Sequence, residues 1–241
     1  MSRKHSTLAL VVLAAFLAGC STRDPQALAQ HDPFEPTNRA FFDFSMKADK
    51  YVAKPVAKGY IAVVPTPARD GIHNFLVNLN EPVVLGNNVL QANPTSAGKT
   101  LGRFVVNSTI GIAGLIDVAS KIGLPEDTQD FGITLGKWGL PEGPYLFLPL
   151  VGPAPPRDLL GRAGDTVMDP LFWIKWHNSG TWKLVRFGVS TIDERAQTID
   201  QLDAIERTSV DFYATTRSLY RQHRDAQING NQPNLQNLPS F

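Results

Sequence analysis

Histidine, cysteine and closely spaced carboxylates are the side chains that most often carry chemistry, and in this chain they are few and scattered. The five histidines, His5, His31, His73, His177 and His223, stand far apart in sequence, and neither an HExxH pair nor another metal-ligand spacing occurs. No GxSxG turn is present to expose a nucleophilic serine. The run Asn93-Pro94-Thr95-Ser96-Ala97-Gly98-Lys99-Thr100 ends like a phosphate-cradling loop. Asn stands where the first glycine should be, however, Pro follows it, and the preceding residues do not read as a strand, so nucleotide binding is set aside. Asp127 with Asp130, and Asp165 with Asp169, have the residue type for acid–base work, yet each pair lies beside Gly or Pro in what reads as a solvated turn. The chain is therefore expected not to be an enzyme and to hold no metal or soluble cofactor.

The one residue with a specific chemical context is the single cysteine. Arg3 and Lys4 form a basic start, Leu8 to Ala18 is an uninterrupted apolar run of eleven residues, and Leu17-Ala18-Gly19-Cys20 closes it. The run is too short for a helix to cross about 30 Å of hydrocarbon, and the pattern is that of an export signal. Its end resembles the bacterial lipobox, which implies cleavage before Cys20, a diacylglycerol on the thiol and an acyl chain on the new amino group. An incidental cysteine in a plain secretory signal is the alternative. Ser21, rather than Asp, after the cysteine implies export to the outer membrane. Each buried methylene contributes about 0.8 kcal/mol, so one chain holds marginally and three hold firmly.

Composition narrows the partners. There are 23 Lys+Arg against 22 Asp+Glu, and removing residues 1–19 with Arg3 and Lys4 takes the net charge from +1 to −1. Such a chain has no polyanion footprint, which argues against nucleic acid as a partner. With 43% hydrophobic residues it has enough apolar material for a folded domain, and with one cysteine it forms no internal disulfide. No stretch reaches eighteen consecutive apolar residues, so no conventional membrane-spanning helix is expected.

The elements that would position these residues read as helices separated by Pro and Gly, seven or eight in all, with little strand alternation. Five of the helical stretches can be placed. Glu35 to Tyr60 carries aromatics Phe41, Phe42, Phe44 and Tyr51 apart from Lys47, Lys50, Lys54 and Lys58; Arg69 to Leu90 should break at Glu81-Pro82; Thr100 to Ile122 has no charge between Phe104 and Ile116. A capping box at Thr191 to Glu194 opens the fourth, and a last helix runs from Val210 to His223. Between them, Gly143 to Pro156 is apolar and rich in Pro, and must be buried in protein or line a cavity. The apolar faces fit either a soluble core or a lipid surface, and the cluster Trp173, Trp176 and Trp182 fits either a core or a headgroup belt.

Residues 32 to 223 carry a further pattern: Asp32-Pro33-Phe34-Glu35-Pro36-Thr37-Asn38-Arg39, then Phe42-Asp43-Phe44, Asn78-Leu79 with Glu81-Pro82, Asn107-Ser108-Thr109, Asp130-Phe131-Gly132, Trp138-Gly139, Gly143-Pro144-Tyr145 and Arg157-Asp158. In this order they resemble the MlaA (VacJ) family of outer-membrane lipoproteins. The resemblance implies an all-α, ring-shaped monotopic protein in the inner leaflet of the outer membrane, whose central passage takes mislocalised phospholipids from the outer leaflet. It also implies handover to a periplasmic MlaC-like carrier and association with a trimeric porin. The expected organisation is a signal over 1–19, a lipidated tether over 20–31, a helical domain over 32–223 and a disordered tail over 224–241. Candidate passage or gating residues are Phe42, Asp43, Phe44, Lys137, Trp138, Gly143 and Tyr145. The competing expectation is a porin-associated scaffold with no transport activity.

Overall fold

The computed structural model describes Thr22 and residues 24–175 and 177–230. The expected signal over 1–19, Cys20 and residues 231–241 lie outside the described residues, as does Trp176. Within them the protein is helical, apart from one two-stranded hairpin, β1 (Phe147–Leu148) against β2 (Gly152–Pro153), antiparallel with Phe147 facing Pro153.

After a short turn of helix, α1 (Pro25–Ala29), capped by Asp24, the first long element is α2 (Glu35–Ala48), which passes through a π turn at Asp49–Ala53 directly into α3 (Lys54–Val63). The widened turn sits just before Pro55, which has no N–H to give the carbonyl four residues back. The next helix, α4 (Thr66–Leu90), does not break where expected: it runs 25 residues with Pro82 inside it. An internal proline costs about 3 kcal/mol, and here the turn that precedes it is anchored. Asn78 Nδ2 donates to Ser108 Oγ at 3.0 Å, and Glu81 accepts from Arg103 Nε at 2.8 Å.

Those partners stand on α5 (Pro94–Thr109), which opens with Asn93 as cap and Pro94 in its first turn. The loop-like stretch 93–100 is thus a helix start, and its Thr100 is buried against Asn88. α5 ends earlier than expected. Ile112, Ala113 and Gly114 take φ of 54°, 56° and 92°, and a Cβ on Gly114 would lie 2.5 Å from the Asn78 side chain, so glycine is required there. A single turn, α6 (Val118–Lys121), follows, capped by Asp117.

Asp130 caps α7 (Phe131–Lys137), which packs against α8 (Pro156–Met168). The approach is close enough that a Cβ on Gly161 would meet the Gly132 nitrogen at 2.5 Å. A turn of helix, α9 (Pro170–Trp173), leads to α10 (Ser179–Gln197), α11 (Ile199–Thr208) and α12 (Phe212–Asn229). The expected capping box at Thr191 is not a helix start: Thr191 lies inside α10 and its hydroxyl donates to the Phe187 carbonyl, because packing on α3 and α4 carries the helix through. The expected tail boundary also moves. Residues 224–229 continue α12, held by Arg224, whose guanidinium is buried between Asp130 and Asp158.

Burial is inverted relative to a soluble domain. Among the described residues the buried set holds sixteen polar or charged side chains against thirteen hydrophobic ones, and five of the latter are alanines. The one aromatic core cluster is small, Phe42, Tyr145, Phe147 and Tyr213, with Met46, Phe212 and Tyr220 against it. Large apolar side chains instead face outward along many elements, among them Tyr51, Val63, Val105, Ile112, Leu150, Trp173, Leu184 and Phe187. A surface of this kind marks contact with an apolar phase. Among the described residues no helix is long and apolar enough to cross a membrane.

Candidate functional site

With α4 at one side and α10 at the other, the polar interior opens into three adjoining cavities of about 300, 490 and 410 Å³. His73, Asp193 and Gln197 line both the smallest and the largest; Asn80 and Ser190 line both the largest and the third. The three therefore form one lane between the two helices. The sequence produces it by setting polar residues at helical spacing along α4, namely Arg69, His73, Asn80 and Glu81, opposite Arg186, Ser190, Asp193 and Gln197 on α10. Leu76, Val77, Val84, Phe172, Trp182 and Phe187 line the same lane, so its walls are mixed.

Charge changes along it. The largest cavity is lined by Glu81, Glu126, Asp127, Asp130, Asp193 and Glu194. Glu81 is held by Arg103, and Asp130 by Arg224 with contacts of 2.6 and 3.0 Å. Asp193 accepts from Gln197 Nε2 at 2.9 Å and lies 2.9 Å from His73 Nδ1. Asp127 accepts from the amides of Asn88 and Gln129. Burial pushes the Glu81 carboxyl above its ordinary range even with Arg103 beside it. In the third cavity Arg186 pairs with Asp169 at 2.6 Å, while Lys183 Nζ donates to the Phe172 carbonyl and sits 4.7 Å from the Phe172 ring centroid.

The residues expected to line a passage lie elsewhere. Phe42 is in the aromatic core, edge-on to Phe147, Phe212 and Tyr213. Tyr145 is fully buried beside Tyr213 and Tyr220, with the Arg221 guanidinium over its ring. Asp43 and Phe44 are exposed on α2. Lys137 donates to Gln91 Oε1 at 2.6 Å at the end of α7, and Trp138 Nε1 donates to the Leu90 carbonyl. Gly143 has φ of 82° and faces the Pro156 ring, beside a separate apolar pocket with Leu28 and Pro33. The structure unites Phe42 with Tyr145 in packing and brings none of the seven into the lane between α4 and α10. Sequence reasoning passed over His73, Asn80, Ser190 and Asp193. The available signal was the polar stripe of α4, which in a soluble helix would be read as the solvated face.

A helical body with polar interior, apolar exterior and no spanning helix among the described residues defines a class: a monotopic membrane protein with a polar lane inside it. Residues 30–227 match a family model described as MlaA lipoprotein. The chain is 36% identical over 238 residues to the intermembrane phospholipid transport system lipoprotein MlaA of Escherichia coli strain K12, covering 96% of this chain and 92% of that one. It is 33% identical over 232 residues to the protein of the same name from Haemophilus influenzae, with 94% and 92% covered. A solved structure, from work on the structural basis for maintenance of bacterial outer membrane lipid asymmetry, superposes with a TM-score of 0.74 at 36% identity, over 82% of this chain and 99% of that one. The chain belongs to the MlaA lipoprotein family.

Proposed function

We infer that this protein is the outer-membrane lipoprotein of a phospholipid transport system. It takes phospholipids mislocalised to the outer leaflet through its interior and delivers them to the periplasmic side, which maintains lipid asymmetry. The observation that carries this reading is the lane between α4 and α10, polar with apolar wall residues, inside a body whose outer surface is apolar. A headgroup moves only where water or polar side chains replace its hydration, and the acyl tails need an apolar surface alongside. The reaction is a change of place. Acylation of Cys20, seating against a trimeric porin and handover to a soluble carrier of the MlaC type belong to the same proposal.

The test uses a deletion strain complemented with the wild type or with Ser190→Trp, which puts a bulky ring at the junction of the two larger cavities. Outer-leaflet phospholipid should rise in the deletion, fall with the wild type and stay high with the variant, while fractionation and circular dichroism show the variant folded and in the outer membrane. A scaffold without transport activity predicts the parental level in every strain that holds the protein. A purified protein that released lyso-lipid from labelled phospholipid would instead make it a hydrolase.

A further inference from the structure

The largest cavity of the lane has a charge pattern that transport alone does not require. Among the carboxylates lining it, Glu126, Asp127, Asp193 and Glu194 have no Lys or Arg within ion-pair distance among the described residues; the nearest basic group is His73 beside Asp193. Glu81 adds a second, independent observation. It is 1% exposed and lines the cavity, and its Oε2 has no hydrogen-bond partner although Arg103 holds the other oxygen. A buried carboxylate oxygen left without a donor is costly. A cation that carries several N–H donors is the guest such a wall suits.

We propose that this cavity is a headgroup subsite for a primary ammonium, so that the protein favours zwitterionic phospholipids bearing an amine, such as phosphatidylethanolamine, over net anionic ones such as phosphatidylglycerol. The inference rests on the transport reading and names the substrate class of the same lane. An ammonium of this kind offers three donors, suits several carboxylates in turn and is drawn in by a negative field. A headgroup with no cationic end finds no such partner among the carboxylates there and is disfavoured by their field. A divalent ion is the less fitting guest: no three His, Cys, Asp or Glu side chains among the described residues converge on one point. The carboxylates are strung along the wall from Glu126 to Glu194 instead.

The test purifies the full-length lipoprotein from vesicles of equimolar phosphatidylethanolamine and phosphatidylglycerol and measures the ratio of the two lipids that stay bound. Opposed charges in a partly exposed setting shift an equilibrium by roughly two- to fivefold, and the wild type should retain phosphatidylethanolamine in that excess. Glu126 and Glu194 are exposed, so Glu126→Gln with Glu194→Gln is a mild change to the fold, and circular dichroism checks it. The ratio in that double variant should fall toward parity. Equal retention by the wild type, or an excess of phosphatidylglycerol, overturns the headgroup inference and leaves transport standing. A preference that vanishes with EDTA and returns with magnesium places a metal in the cavity and also overturns it. Recovery of no phospholipid, with outer-leaflet lipid unaffected by deletion, overturns the transport reading and this inference with it.

Discussion

Arg224 ties three elements together from a single side chain, with Asp130 at the start of α7, Asp158 in the first turn of α8 and its own position near the end of α12. Tyr220 and Arg157 complete the set by donating to Asp158. Removing one partner of a buried ion pair leaves uncompensated charge and costs about 3–5 kcal/mol, so Arg224→Met should lower the thermal midpoint steeply, as followed by circular dichroism. Arg224→Lys should rescue it only partly, because an ammonium cannot span two carboxylates as a guanidinium does. Gly143 is a folding residue in this sense too: a side chain there combines φ of 82° with contact on Pro156 at 3.2 Å. Gly143→Ala should cost about 1–2 kcal/mol, read from the denaturation midpoint, with the lane itself untouched.

Among the elements, the contact of α7 with α8 depends on absent side chains. The Gly161 position faces the Gly132 backbone, and a Cβ on Gly164 would meet the Phe131 ring at 2.2 Å. Gly161→Ala must push two backbones apart and should cost at least about 1–3 kcal/mol. Hydrogen exchange should locate the loss in α7 and α8 and spare α4 and α5. The junction of α2 with α12 responds to pH. The Arg39 guanidinium, bonded to Asp211 at 2.6 and 3.0 Å, holds that carboxyl below its ordinary range. A carboxyl depressed in the folded state stabilises above its unfolded value of about 4 and loses that contribution as pH falls through the lower folded value. Thermal midpoints should therefore drop below about pH 4, and Asp211→Asn should flatten that part of the profile while lowering the midpoint at neutral pH.

Across the whole molecule, polar inside and apolar outside is the arrangement that a monotopic protein needs, since hydrocarbon rewards an apolar exterior and charge must find partners within. Replacing outward Leu184 and Val185 on α10 with Asp should leave the ion-pair interior intact yet move the Cys20→Ala protein from the membrane to the soluble fraction. Cys20→Ala should yield an unprocessed chain by mass spectrometry and lose function in the deletion strain. Full complementation by that variant would overturn the anchor.

Much of this was legible from local pattern. The helix that begins at Glu35 and the ordered motifs from Asp32 to Arg157-Asp158, which mark the family, are readable there, whereas the helix starts at Pro94 and Phe131 and the π turn before Pro55 emerge only in the structure. The same motifs misdirected the search for a passage. Phe42 and Tyr145 look like a lining and are the core, while Asp32, Asn38 and Arg217 bind that core from distant parts of the chain. The sequence by itself determined the helical class and the family. Only the tertiary structure decided that α4 runs unbroken through Pro82, that residues 224–229 are helix, and that the lane lies between Asn80 and Ser190. Each of those depends on a partner tens of residues away, and in a chain seated in lipid the polar stripe of a helix turns inward, which no local pattern can distinguish from a face turned to water.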